Sequence, residues 1–159
     1  MTTADTEASH QGLPKWLPLT GVALSLLGIA DSVYLTWDHY TAGAVLACPD
    51  TGIINCAKVT SSAYSEIFGI PVPLLGLAFF ITMFVLQLPV VWNLKSRLVI
   101  WGRMAFSATG VAMILWFIYV ELYKLDAICL FCSAVHLLTL ILFGLTAYGT
   151  ERLLEERQT

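Results

Sequence analysis

Four runs of this chain, approximately Trp16 to Trp37, Leu74 to Trp92, Val99 to Tyr119 and Ile128 to Tyr148, are almost wholly apolar. Each is close to the ~20 residues that a helix needs to cross a hydrocarbon core of about 30 Å. Lipid offers no hydrogen-bond partner, so such a run must satisfy its backbone N–H and C=O groups within itself, and the α-helix does so. Gly21, Gly28, Gly76, Gly110 and Pro89 fall inside these runs, but membrane helices tolerate both residue types, and helix is expected throughout each run. Composition agrees: 58% of the 159 residues are hydrophobic and 12% charged, against about 25% charged in an ordinary soluble domain. The expected fold is all-α, an integral membrane four-helix bundle forming one domain over residues 15–150. A polar N-terminal tail (1–14) precedes it and a short cytoplasmic tail (151–159) follows. The formal net charge of -3 comes from 8 basic and 11 acidic residues. No Lys/Arg cluster of the kind that tracks phosphates appears, which argues against nucleic acid as a partner.

An even number of spans puts both termini on one side, and the basic residues say which. Lys15, Lys95, Arg97, Arg152 and Arg157 flank the runs on the terminus side, with Arg103 one turn into the third run, while Lys58 and Lys124 lie opposite. Lys and Arg are retained on the cytoplasmic side, so a multi-pass protein of the cell inner or plasma membrane is expected, with both termini cytoplasmic. A long outer loop (38–73), carrying a short helix, joins the first two spans, and a brief outer turn at Lys124–Ala127 joins the last two. A cleaved leader is the alternative, since "AGA" at Ala42–Ala44 resembles a cleavage site and "VLAC" ending at Cys48 resembles a lipoprotein box. Asp31, Trp37, Asp38 and His39 would make that leader long and charged, unlike a signal peptide.

All four cysteines then face one compartment. Cys48 and Cys56 sit in the outer loop, and Cys129 and Cys132 form a C-x-x-C at the outer mouth of the last span. Outside the cytoplasm, disulfides persist. In the first turn of a helix, unpaired N–H groups and the helix dipole stabilise a thiolate, which is the nucleophilic form of cysteine. At i and i+3 the two sulfurs share one helix face, in apolar surroundings suited to a reaction partner that approaches from the lipid. Other uses of these cysteines stand beside this one. Free cysteines are common as small buried hydrophobes. Four thiolates are also the donor set of a structural zinc site, although C-x7-C is wider than the usual ligand spacing. Two plain structural disulfides would brace the same loop.

These residues resemble the vitamin K epoxide reductase family, in its bacterial, disulfide-generating form. The resemblance runs from "DSVYLTWDHY" through "CPDTGIINCAKVTSSAYSEIFGIPVPLLG" to "ICLFCSAVH". Its specific elements are the C-x7-C loop pair, the hydroxyl-rich "VTSSAYS" after the second loop cysteine, and the C-x-x-C that opens the last span. Cysteine order separates it from another four-helix thiol oxidase family, in which the C-x-x-C precedes the distant pair. The resemblance implies that Cys129 and Cys132 are the catalytic pair, with Cys132 facing a quinone (menaquinone or ubiquinone). It implies that Cys48 and Cys56 are a shuttle pair: the first meets an external thiol protein and the second passes electrons to Cys129. Ser62 matches the family's loop serine or threonine near the quinone. Many bacterial members carry a fused thioredoxin-like domain after the fourth span, whereas this sequence stops at Thr159, so a separate thioredoxin-fold partner is expected. Vertebrate members place an asparagine on the vitamin K oxygen. The corresponding "GIPVPLLG" has no polar side chain, which counts against epoxide reduction.

Further residues are candidates around that chemistry. His136, at i+4 from Cys132, shares its helix face and is placed to give a proton or hydrogen bond to a quinone oxygen, or else to satisfy itself against a neighbouring helix. Asp31 is a functional candidate because it is ionisable and intramembrane, although near a span end it also suits hydration or pairing. Glu121 and Arg103, near span ends, are expected to snorkel. Phe79, Phe80 and Trp116 suit a quinone slot, but equally core or lipid contact. Within "SSAYSEIFGIPVP", Tyr64, Ile67, Phe68 and Ile70 make an amphipathic pattern suited to a lid on the membrane surface or to a half-buried loop helix. The expected activity is a membrane thiol oxidase that uses a quinone and no metal. Its rivals are a non-enzymatic scaffold held by two structural disulfides and a metal-handling protein using four thiolates.

Overall fold

The computed structural model describes residues 13–41, 46–48, 51–94 and 96–156. Residues 1–12, the "AGA" stretch, Lys95 and Arg157 lie outside the described residues. Three helices are long and apolar enough to cross a membrane: α1 (Trp16–Tyr40), α5 (Arg97–Val120) with the π-helical turn Glu121–Leu125 that continues it, and α6 (Leu130–Glu155). Between them lie α2 (Cys56–Thr60), a two-stranded hairpin of β1 (Glu66–Ile67) and β2 (Ile70–Pro71), α3 (Val72–Gln87) and the single turn α4 (Pro89–Trp92). The second apolar run is therefore not one helix. Pro89 has no N–H to give, and its ring forces the preceding residue out of the helical region. Leu88 accordingly sits at ψ 138°, and α3 is left with 16 residues.

α1 packs mainly on α3 and α6, and α5 packs on α6. The buried stripe of α1 includes Gly21, Ser25, Gly28 and Ser32, small residues that let backbones approach where lipid gives no hydrophobic drive for helix association. The space that a Gly28 side chain would occupy is filled by the Phe80 ring of α3, and the corresponding space at Gly21 by Gln87. On this stripe Ser25 satisfies its hydroxyl locally, Oγ donating to the Gly21 carbonyl at 2.8 Å.

The start of α1 and the end of α6 lie at one end of the helix set, where Leu17, Trp92, Ile100 and Leu153 form a core. Arg103 is here, and it does not snorkel. It is 1% exposed, with its guanidinium carbon 3.2 Å from the centre of the Trp92 ring. The Trp92 indole N–H donates to Gln87 Oε1 and the Gln87 amide donates to Thr146 Oγ1, both at 2.9 Å. The break at Pro89 turns Trp92 back toward the bundle, and the ring's negative face takes the cation that solvent would otherwise receive.

At the opposite end the loop is a short helix followed by a hairpin. The amphipathic segment after Ser62 is not helical. It passes through turns into β1 and β2, with Phe68 (φ 53°) and Gly69 (φ 77°) at the tip. Two consecutive left-handed residues are the mark of a tight hairpin turn, and a glycine there ends any helical pattern in the side chains. The loop's short helix is instead α2, capped by Asn55, whose Oδ1 accepts from the Lys58 N–H at 2.8 Å. His39 Nε2 at the end of α1 lies 3.4 Å from Glu66 Oε1 and ties the hairpin to the helices.

Candidate active site

Three short-range devices assemble the cysteines. Cys48 and Cys56 are joined by a disulfide, with their Cα atoms 6.0 Å apart. The segment before Cys56 is stitched to the segment before Cys129: Ile128 N–H donates to the Ile53 carbonyl at 2.8 Å and Asn55 N–H to the Ile128 carbonyl at 3.1 Å, a parallel bridge between Ile54 and Ile128. Finally, the π-helical turn after α5 ends at Asp126, which is left-handed (φ 46°, ψ 44°), with the Ala127 N–H returning to the Glu121 carbonyl at 3.1 Å. Asp tolerates that conformation better than most residues. The chain so turned delivers Cys129 to the cap of α6.

Cys129 and Cys132 are free thiols. The Cys129 sulfur caps α6, accepting from the Cys132 N–H at 3.3 Å, so the first turn of the helix points its free N–H groups at sulfur. Cys56 and Cys129 are both buried, at 1% and 0% exposed. The Cys129 thiol is held below the ordinary thiol range. The Cys132 thiol within hydrogen-bond reach is the largest cause, helped by the Cys132 and Phe131 N–H groups and opposed by burial and the charge of Glu121.

Cys132 faces a cavity of about 460 Å³. His136, Phe79, Phe80 and Ser62 line it as well, so the structure brings these sequence candidates together. Phe79 stacks on Phe106, with centroids 5.3 Å apart and planes 20° apart. Trp116 is not a wall of the cavity; it is 50% exposed beside Tyr119. Ser62 spends its hydroxyl proton within its own turn, donating to the Val59 carbonyl at 2.8 Å. His136 is buried at 8% exposure. Asp31 lies near enough to act on the Cys132 sulfur, and its Oδ2 is buried without a hydrogen-bond partner among the described residues.

Glu121 corrects an expectation. It does not snorkel from the span end; it is 5% exposed, lines the same cavity as Cys132, and lies close enough to both thiols of the C-x-x-C for its charge to act on them. The π-helical turn Glu121–Leu125 and the left-handed Asp126 that ends it, too irregular to read from hydropathy, fold the chain back toward Cys129. The signal that was available is the rule that an ionisable residue in an apolar run is functional until shown otherwise.

The cavity offers stacked aromatic walls, one thiol, a carboxylate and a buried imidazole. Among the described residues, no group of three or more His, Cys, Asp or Glu is placed to hold a metal. No curated protein matches the chain. The family model described as the vitamin K epoxide reductase family matches residues 19–147, a stretch that contains all four cysteines and every wall of the cavity. With helices able to cross a membrane and that match over most of its length, the chain is an integral membrane protein that belongs to the vitamin K epoxide reductase family.

Proposed function

We propose that the protein is a quinone-dependent thiol oxidase that makes disulfides in an extracytoplasmic thioredoxin-fold protein. All four helices α1, α3, α5 and α6 span the membrane, the termini are cytoplasmic and the cysteines face outward. One observation carries the reading: a C-x-x-C whose second sulfur lines an apolar cavity, hydrogen-bonded through the Ile54–Ile128 bridge to the segment that holds a disulfide. A thiolate of the partner attacks the Cys48–Cys56 disulfide, and a second partner thiolate resolves the mixed disulfide, so the partner leaves oxidised and Cys48 and Cys56 are left as thiols. Cys56 then attacks Cys129 in a Cys129–Cys132 disulfide, which frees Cys132 as a thiolate, and Cys48 resolves the Cys56–Cys129 bond to restore the loop disulfide. The described state, with the loop pair joined and the helix pair free, is the one that follows this exchange. A lipid quinone, menaquinone or ubiquinone, supplies an acceptor for two electrons and two protons when bound in the cavity. Cys132 presents sulfur to it, Phe79 and Phe80 hold its ring, and His136 offers a hydrogen bond to an oxygen.

The decisive experiment is quinone reduction by the purified protein with a reduced thioredoxin-fold donor. Cys132→Ala is expected to abolish turnover. Cys48→Ala is expected to abolish it with the protein donor but to spare it with a small dithiol that reaches Cys129 directly. Equal loss for both variants with both donors would exclude a shuttle pair feeding a separate site. Stable disulfides with no quinone reduction would favour a scaffold.

A further inference from the structure

Glu121 has no part in the relay above, yet it stands against both thiols of the C-x-x-C. Its side chain is buried at the first residue of the π-helical turn and lines the cavity that Cys132 faces, with no salt bridge to it among the described residues. A carboxylate is rarely left in such surroundings without a role. The other titratable groups that face Cys132 are Asp31 from α1, Cys129 at the cap and His136 from α6. Lys58 and Lys124, the lysines described at this end of the molecule, are exposed.

We infer that Glu121 is the proton acceptor for the Cys132 thiol. Where Cys132 is a free thiol, as in the structure, the S–H bond breaks, the proton forms an O–H bond on a Glu121 carboxylate oxygen, and the electron pair of the broken bond stays on sulfur, which faces the cavity. Nothing is oxidised or reduced in this step. One buried anion replaces another, so the transfer adds no negative charge to the site. Ionisation of the thiol to water beside an intact carboxylate would instead set two anions side by side in a medium of low dielectric, which is strongly disfavoured. The proton left on Glu121 lies on the wall of the cavity, where the acceptor of electrons also needs protons. The inference rests on the proposal that Cys132 is the cavity-facing sulfur of the relay.

The test is alkylation of the full-length protein by a small uncharged maleimide across pH, with the loop disulfide left intact and Cys132 resolved from Cys129 by peptide mass spectrometry. Glu121→Gln is expected to slow modification of Cys132 near neutral pH by about tenfold or more, with wild-type reactivity recovered at alkaline pH, where the thiol ionises to water. Glu121→Met carries the same expectation should the Gln variant fail to fold. Glu121→Asp restores a base and is expected to recover part of the rate. Modification of Cys132 as fast as in the wild type, or faster, in either the Gln or the Met variant would overturn the inference. That is the result of removing a neighbouring negative charge that does nothing else. No quinone or partner enters this measurement, so failure of the quinone assay with this pattern intact would strike only the proposed acceptor.

Discussion

At the scale of single residues, the two thiols of the C-x-x-C are made unequal by their places in one helical turn. Cys129 is the cap, and its sulfur receives an N–H of the first turn; Cys132 is three residues further on and turned to the cavity. The chief cause that holds the Cys129 thiol below its ordinary range is the Cys132 thiol, so removing that thiol has a definite sign. Cys132→Ala takes away a donor that favours the Cys129 thiolate. The pH midpoint of Cys129 alkylation is then expected to rise toward about 8.5, the value of a free cysteine. A midpoint that stays or falls would mean that the helix N–H groups dominate.

Elements explain why those residues meet. α1 and α3 touch through Gly28, whose missing side chain leaves room for Phe80, and Phe80 is also a wall of the cavity. Gly28→Leu therefore does two things at once. It is expected to cost about 1–3 kcal/mol through overpacking, seen as a lower melting temperature in detergent, and to reduce quinone turnover by displacing Phe80. A variant that melts earlier yet turns over normally would separate the packing of α1 on α3 from the shape of the slot. The π-helical turn after α5 has a comparable double effect, because the residue that begins it is Glu121 and the residue that ends it starts the approach to Cys129.

Across the whole molecule, the cysteines gather at one end of the helix set, and the start of α1 and the end of α6 lie at the other, where Trp16 stacks on Tyr148 with centroids 6.2 Å apart. If basic residues hold the terminal end in the cytoplasm, the relay opens outward. A membrane-impermeant thiol reagent applied to intact cells after mild reduction is expected to label Cys48, while a cysteine introduced in the N-terminal tail stays protected. The reverse pattern would put the loop disulfide in a reducing compartment and remove the oxidase reading.

By itself the sequence determined the helical class, the number of apolar runs and the candidacy of the four cysteines, because each depends on local properties: continuous apolarity over the width of a bilayer and a spacing that puts two thiols on one helical turn. Phe79, Phe80, Ser62 and His136 were also legible as candidates, though nothing in their spacing showed that they share one cavity. Tertiary structure alone decided the rest. The break at Leu88, the hairpin at Phe68–Gly69 and the π-helical turn at Glu121 are departures from a regular period, and hydropathy is blind to them. Arg103 and Glu121 looked like span-end charges because depth along a helix says nothing of which face is covered. Arg103 is buried because α4 turns Trp92 onto it, and Glu121 because the chain doubles back to set Cys129 and Cys132 against its carboxylate. Such contacts join residues distant in sequence or separated by irregular backbone, and only the folded chain brings them within reach.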